Sequence, residues 1–359
     1  MSAILARSIL ALALAGPLVA AEAAAAPSAP AAGVAIASDS PVPHADRRGA
    51  EQTLLTYPEW FLVHSPAEYA RLVQTRPPHE FPFLRHIGQL WSGYAEVGYE
   101  QWRLGYPLNP GYHLMIGVIA GSTTLEYGIR AVYGNTIGRL SWVLGGSRLT
   151  DEDRFDALAA QQYVDFIRQQ PWYLFDFGSR LEQLWTEVPM HGPGTIRKWE
   201  RRFALSCEYG IKAAYGKLIK VATHAAYDAP RMNTDVVVES LPADWTPPPE
   251  VSLLSRFPDG RALLSLPRYY DFRIAATALA KQGVRIVDVA GNRSTILVSA
   301  WAHAGASIDA HGGRVLFTQA IETPADTQRA VMLVPVGELS SVLAQADSHG
   351  LTIEHVYDY

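Results

Sequence analysis

Apolar residues recur every three to four positions from about Ser65 to Lys220, then at every second position beyond about Val251. The first spacing keeps one face of a helix apolar, and the second does the same for one face of a strand. The pattern therefore predicts an α + α/β chain, with a helical domain at 49–230 followed by a smaller strand-and-helix domain at 259–359. Six helices are expected in the first. Ser65-Pro66-Ala67-Glu68 reads as a capping box that opens a helix to about Gln74. A second helix runs from about Pro82 to Arg103, and Asn109-Pro110 caps a third that ends near Gly145-Gly146. Thr150-Asp151-Glu152-Asp153 caps a fourth helix, a fifth spans about Tyr173 to Val188, and a sixth opens at Pro193.

These six helices read as three written twice. Glu126 to Gly134 is EYGIRAVYG, and 82 residues later Glu208 to Gly216 is EYGIKAAYG, identical at seven of nine positions. The stretches 69–91 and 163–185 align without a gap and share Tyr69/Tyr163, Pro77/Pro171, Phe81/Phe175, Phe83/Phe177 and a closing Gln-Leu-Trp. Landmarks in the same order at nearly the same spacing predict an internal duplication, with two three-helix halves packed about a pseudo-twofold axis. A three-helix unit this short buries its apolar face poorly alone, and two copies are too few for a solenoid.

A second repetition marks the C-terminal domain. Val251 to Arg256 and Arg261 to Leu266 flank a Pro-Asp-Gly turn, a hairpin signal. RALLSLP at 261–267 matches RAVMLVP at 329–335, and each leads into a helix, a glycine (Gly283 or Gly350) and a further strand. Duplicated βαβ halves of this kind predict a ferredoxin-like α/β sandwich with one antiparallel sheet. The proline-rich stretch 231–258, with Pro247-Pro248-Pro249, is expected to be the linker between the domains.

Before the helices stands a different composition. Arg7, the apolar run Ile9 to Ala20 and Ala21-Glu22-Ala23 have the layout of a cleaved signal peptide at 1–23. The Ala/Pro-rich stretch 24–48 is expected to be a disordered linker. These features predict export to the periplasm or cell envelope, with an uncleaved inner-membrane anchor as the alternative. Leu114 to Leu125 is nearly all apolar but too short to span a bilayer, so it is expected to be a buried core helix, with membrane association of 111–129 as the alternative.

Charge and composition narrow the function by exclusion. A net charge of -5 without an extended Lys/Arg tract leaves no nucleic-acid footprint. The single cysteine, Cys207, excludes an intramolecular disulfide, a Cys-based zinc site and an iron–sulfur cluster, and its setting reads as helix interior. Neither G-x-S-x-G, H-E-x-x-H, a Walker A loop nor a Rossmann glycine pattern occurs.

The repeated segments supply the candidates. Glu126 stands four residues before Arg130 and Glu208 four before Lys212, the favourable order for ion pairs along a helix. If a twofold relates the halves, the two carboxylates could instead meet at the axis and hold a metal, with His113 and His191 as further ligands. Tyr127, Tyr209, Trp91 and Trp185 recur at matching places and suit either core packing or an apolar ligand wall. His303, Asp309 and His311 share one Gly/Ala-rich loop that could take a divalent ion. Together these features predict a non-catalytic module that binds an apolar small molecule or an envelope protein. The alternative is a metal-dependent enzyme with its site between the helical repeats.

Overall fold

The computed structural model describes residues 40–224, 232–310 and 312–358. The chain is α + β, combining helices with two antiparallel four-stranded sheets. The expected signal peptide and residues 24–39 of the expected linker lie outside the described residues.

Helices fill the first part, all but the first opening near the expected places. They are α1 (Gln52–Leu72), α2 (Phe83–Arg103), α3 (Pro110–Tyr133), α4 (Arg139–Leu144), α5 (Asp151–Ile167), α6 (Phe177–Thr186) and α7 (Thr195–His224). A single π-helical turn, Gly134–Gly138, joins α3 to α4, so the third expected helix is nearly continuous to Leu144. Asn109 caps α3 by accepting from the Tyr112 amide at 3.1 Å. Thr150 and Asp153 form the reciprocal capping box at the start of α5.

The Ser65 capping box does not start a helix. The helix α1 begins at Gln52 and passes unbroken through Ser65-Pro66, because the apolar residues of 54–62 already supply a face to bury. Proline at Pro66 removes one backbone donor, and the Ser65 hydroxyl turns instead to side chains of other helices.

The strands are β1 (Asn233–Glu239), β2 (Ser252–Arg256), β3 (Ala262–Pro267), β4 (Arg285–Val289), β5 (Thr295–His303), β6 (Arg314–Ile321), β7 (Thr327–Pro335) and β8 (Thr352–Val356). They form two sheets with matching order, β2-β3-β1-β4 and β6-β7-β5-β8, where one sheet was expected. Helix α8 (Tyr270–Lys281) connects β3 to β4, and α9 (Leu339–Gln345) lies between β7 and β8. The difference arises in the stretch 231–258, which is not merely a linker. It contributes β1, whose buried Val236, Val237 and Val238 went unread among the surrounding prolines, as well as β2, the first strand of the expected hairpin. The duplicated RALLSLP and RAVMLVP segments are β3 and β7, in equivalent positions of the two sheets. The inner faces of both sheets share one apolar core with Phe272, Ala276 and Leu279 of α8 and with Leu339, Val342 and Leu343 of α9.

The described chain divides into two compact units. One comprises 59–91 and 109–224; the other comprises 40–58, 92–108 and 232–358. Thus the strand unit includes parts of α1 and α2 that the periodicity assigned to the helical domain. The reason lies in specific contacts within that unit. The Thr53 hydroxyl donates to the Tyr357 carbonyl at 2.9 Å and accepts from the Leu297 amide at 2.9 Å. The Tyr57 hydroxyl donates to Gln319 at 2.8 Å, and its ring meets Phe317 edge-on at 5.2 Å. Residues 40–48, expected to be disordered, also pack. Val42 is buried against Val237 and Leu263, and the Arg47 side chain donates to the carbonyls of Ser40 and Val42.

One buried acid makes this unit pH-dependent. Asp358 is 1% exposed, and burial pushes its carboxyl up to about 8 although Arg268 lies 3.9 Å away. The folded state therefore holds this proton while the unfolded chain releases it near the ordinary value of 3.8. Across that window this group's contribution to stability falls as pH rises, by up to about 1.4 kcal/mol per pH unit, and levels off above the folded value. Asp358→Asn is expected to be more stable than the parent protein at pH 9 and equal to it below pH 4. Urea unfolding at the two pH values measures the difference.

Candidate functional site

The two nonapeptides lie on α3 and α7, each with a glutamate and a cation one turn apart on the same helix face. Arg130 Nη1 is 3.5 Å from Glu126 Oε1, and Lys212 Nζ is 2.8 Å from Glu208 Oε1. The four groups also pair crosswise. Arg130 reaches Glu208 at 3.4 Å, and Lys212 reaches Glu126 at 3.0 Å. The result is a closed ring of two acids and two bases.

Aromatic rings support each cation from behind. The Arg130 guanidinium lies 4.3 Å from the Tyr69 ring centre and 4.8 Å from that of Phe83. Lys212 sits 5.7 Å from both Tyr163 and Phe177, which align with Tyr69 and Phe83 in the sequence. The rings repeat their own geometry as well: Phe81 and Phe83 are 4.8 Å apart, and Phe175 and Phe177 are 4.9 Å apart. Burial acts to raise the Glu208 carboxyl, but Arg130 and Lys212 outweigh it and hold it down to about 2. An acid this firmly ionised, with its oxygen engaged by two cations, is poorly suited to proton transfer at neutral pH.

A second polar layer runs along the N-terminal half of α7. Arg201 pairs with Asp156 at 2.8 Å and Asp153 at 3.0 Å, and Arg197 pairs with Asp153 at 2.8 Å and Glu200 at 2.8 Å. Lys198 reaches Asp151 at 2.8 Å and Glu152 at 3.1 Å. Arg202 donates to Glu152 at 2.7 Å and to the carbonyls of Leu184 and Val188. Glu152, Asp153, Arg197, Lys198 and Arg202 are all buried. Asp156 joins this layer to the ring by accepting from the Tyr69 hydroxyl at 2.7 Å.

A third cluster forms around Ser65. Ser65 Oγ lies 2.9 Å from His86 Nδ1 and 2.7 Å from the Tyr127 hydroxyl, and His86 Nε2 is 3.7 Å from Glu68. Serine, histidine and a carboxylate are the residue types of a nucleophilic triad. Here all three are fully enclosed, at 0% exposure, so no substrate reaches the hydroxyl. The cluster instead secures Tyr127. By the same 94-residue offset that relates Tyr69 to Tyr163, the position matching Ser65 is Ala159. Correspondingly, the Tyr209 hydroxyl has no hydrogen-bond partner among the described residues.

The predicted site residues fall into distinct places. Glu126 and Glu208 do meet, but through cations. His113 stands 13 residues before Glu126 on α3, about 20 Å along the axis at 1.5 Å per residue. His191 is exposed in the turn before α7. Among the described residues no group of three or more His, Cys, Asp or Glu side chains could hold a metal ion. Thus the four predicted ligands do not form one site. Within the Gly/Ala-rich loop, His303 is exposed and His311 lies outside the described residues.

Tyr127 and Tyr209 are buried in the helical core, whereas Trp91 and Trp185 are 39% and 41% exposed. Each indole donates its N–H to a matching hydroxyl, Thr124 at 2.9 Å and Ser206 at 3.0 Å, leaving a ring face outward. Trp185 lies 6.3 Å from Trp199, which is itself exposed. On α7, exposed Ile196, Trp199, Phe203, Ile211 and Leu218 share one face. The 22 residue steps from Ile196 to Leu218 cover about 33 Å. Cys207 lies on this face and is exposed rather than interior; partial desolvation raises its thiol, which disfavours the reactive thiolate. On α3, Leu114, Leu125, Ile129 and Val132 are exposed, so this segment is not the fully buried core helix its composition predicts. No helix among the described residues is long and apolar enough to cross a membrane.

Two signals for this geometry stood in the sequence and were read too locally. The acidic run 151–156 and the basic run 197–202 are complementary, yet the first reads only as a helix cap and the second only as too short a tract for nucleic acid. Ser65 and Glu68, likewise, resemble a cap in isolation. No protein-family model, curated protein or solved structure matches this chain.

The charge ring yields a mutational expectation. Glu208→Gln leaves Arg130 and Lys212 sharing one acid and, at this partly exposed position, is expected to cost about 1–3 kcal/mol at pH 7. In the parent protein, the contribution of Glu208 is present above its ordinary value of 4.5 and is lost as pH falls towards about 2. The parent and variant should therefore converge in acid when chemical denaturation is followed by circular dichroism. A constant gap down to pH 2 would contradict the ring's role.

Proposed function

We propose that this is an exported cell-envelope protein whose helical unit is a non-catalytic docking module for an apolar partner surface. The observation that carries this reading is the exposed apolar face of α7, backed by Trp185 and echoed on α3. Exposed apolar patches of this extent mark interaction surfaces more often than they serve solubility. A face about 33 Å long and open along its length fits the side of a partner protein better than a small molecule, which needs a concave site. The charge layers beneath face inward and are mutually neutralised, which suits a rigid scaffold rather than acid–base chemistry.

We read the two halves of the helical unit as copies related by a pseudo-twofold. The equivalent cation–aromatic contacts and the equivalent indole bonds support that reading. The strand unit is read as a duplicated, ferredoxin-like arrangement, in which β3-α8-β4 and β7-α9-β8 each bracket a central antiparallel strand.

Two measurements test the functional reading. A photo-crosslinking side chain at Phe203 in the full chain is expected to trap a discrete envelope protein, and Ile211→Glu is expected to abolish the adduct without changing the circular dichroism. An adduct that survives this substitution would argue against the α7 face. For export, mass spectrometry of the mature protein is expected to find Ala24 at its N-terminus. A chain that keeps Met1 and stays with the inner membrane would support the anchored alternative.

A further inference from the structure

The strand unit holds a cleft of about 300 Å³ lined by Asp46, Arg48, Met232, Asn233, Thr234, Asp235 and Arg268. Its walls are polar, and its two arginines are the unusual part. Arg268 is anchored against a ring: its guanidinium lies 4.9 Å from the Tyr269 ring centre, and its Nε is 3.9 Å from the buried Asp358 carboxyl. Asp46 and Asp235 are also engaged with neighbours. Arg48 differs. Its backbone amide is tied to the Ala290 carbonyl at 2.7 Å, which fixes the residue at the cleft. Its guanidinium makes no hydrogen bond or ion pair among the described residues.

Burial and the nearby Arg268 both act to weaken the charged form of Arg48. A half-buried guanidinium beside a second one is unfavourable unless an anion lies between them. A forked donor of this kind binds carboxylate or phosphate oxygens through two parallel hydrogen bonds. The backbone beside the cleft is also unusual, because Tyr269 adopts a φ of 62°, a left-handed value that an aromatic residue seldom takes. Arg268 stands one residue before the N-cap Tyr269 of α8, a helix end that favours negative charge.

We propose that this cleft binds a small anion, a carboxylate or phosphate group, held by the Arg48 guanidinium against the anchored Arg268. Asn233 and Thr234 line the same cleft and offer neutral polar groups to the remaining oxygens. Asp46 and Asp235 restrict the ligand to a compact group and disfavour an extended polyanion by repulsion. This site is independent of the apolar face of the helical unit.

Inorganic phosphate and malonate, each titrated into the full-length protein at constant ionic strength, separate the two ligand classes. One of them is expected to raise the melting temperature saturably where matched chloride does not, and to shift the amide resonances of Asn233 and Thr234. Arg48→Met is expected to weaken that binding at least tenfold. Arg48→Lys, which keeps the charge but loses the fork, should fall between and covers the case in which the methionine variant fails to fold. Absence of saturable binding by both anions would overturn the proposal, as would undiminished binding in folded Arg48→Met.

Discussion

The charged face of α7 is the interaction on which the helical unit depends. Between Arg197 and Lys212 this helix turns six ionised side chains or more towards α5 and α3 instead of an apolar stripe. Removing such charges from water is costly, and the arrangement holds because nearly every one finds an opposite charge within about 3 Å. Loss of a single partner in so enclosed a layer typically costs about 3–5 kcal/mol. The layer also fixes register, because a helix that slid or rotated by one residue would leave guanidinium groups facing apolar side chains.

The inward charge and the outward apolar stripe are two consequences of one helix orientation. Residues such as Trp199, Phe203 and Ile211 would form the ordinary buried stripe if α7 were turned round. In this structure they face outward because α5 supplies acids where an apolar partner would otherwise sit. At the 82-residue offset of the two EYG segments, α3 carries apolar residues where α7 carries Arg197 to Arg202, although the aromatic contacts around Arg130 and Lys212 correspond.

Repetition and period made much of this legible. Helix positions, the Asn109 and Thr150 caps, the hairpin around Pro258-Asp259-Gly260 and the pairing of EYG segments all follow from local chemistry or from matching residues. What escaped the sequence required knowledge of a partner. Thr53 and Tyr57 look like any helical residues until Tyr357 and Gln319 are known to receive them. Strand β1 was hidden by the proline-rich sequence that follows it. Glu126 and Glu208 share Arg130 and Lys212, and whether carboxylates meet a metal or a cation is set by side-chain directions that spacing alone leaves open.

The sharing of α1 and α2 between the two units has a consequence for how this protein acquires its shape during synthesis. The strand unit is discontinuous: it draws on residues 40–58 and 92–108 as well as on 232–358. Its early segments leave the ribosome well before the strands they pack with exist, and the bond from Thr53 to Tyr357 joins residues 304 apart. The helical unit, by contrast, has all its described residues in hand by about residue 224. Folding from the N-terminus therefore favours completion of the inserted unit first, with Thr53 and Tyr57 left exposed until β8 arrives.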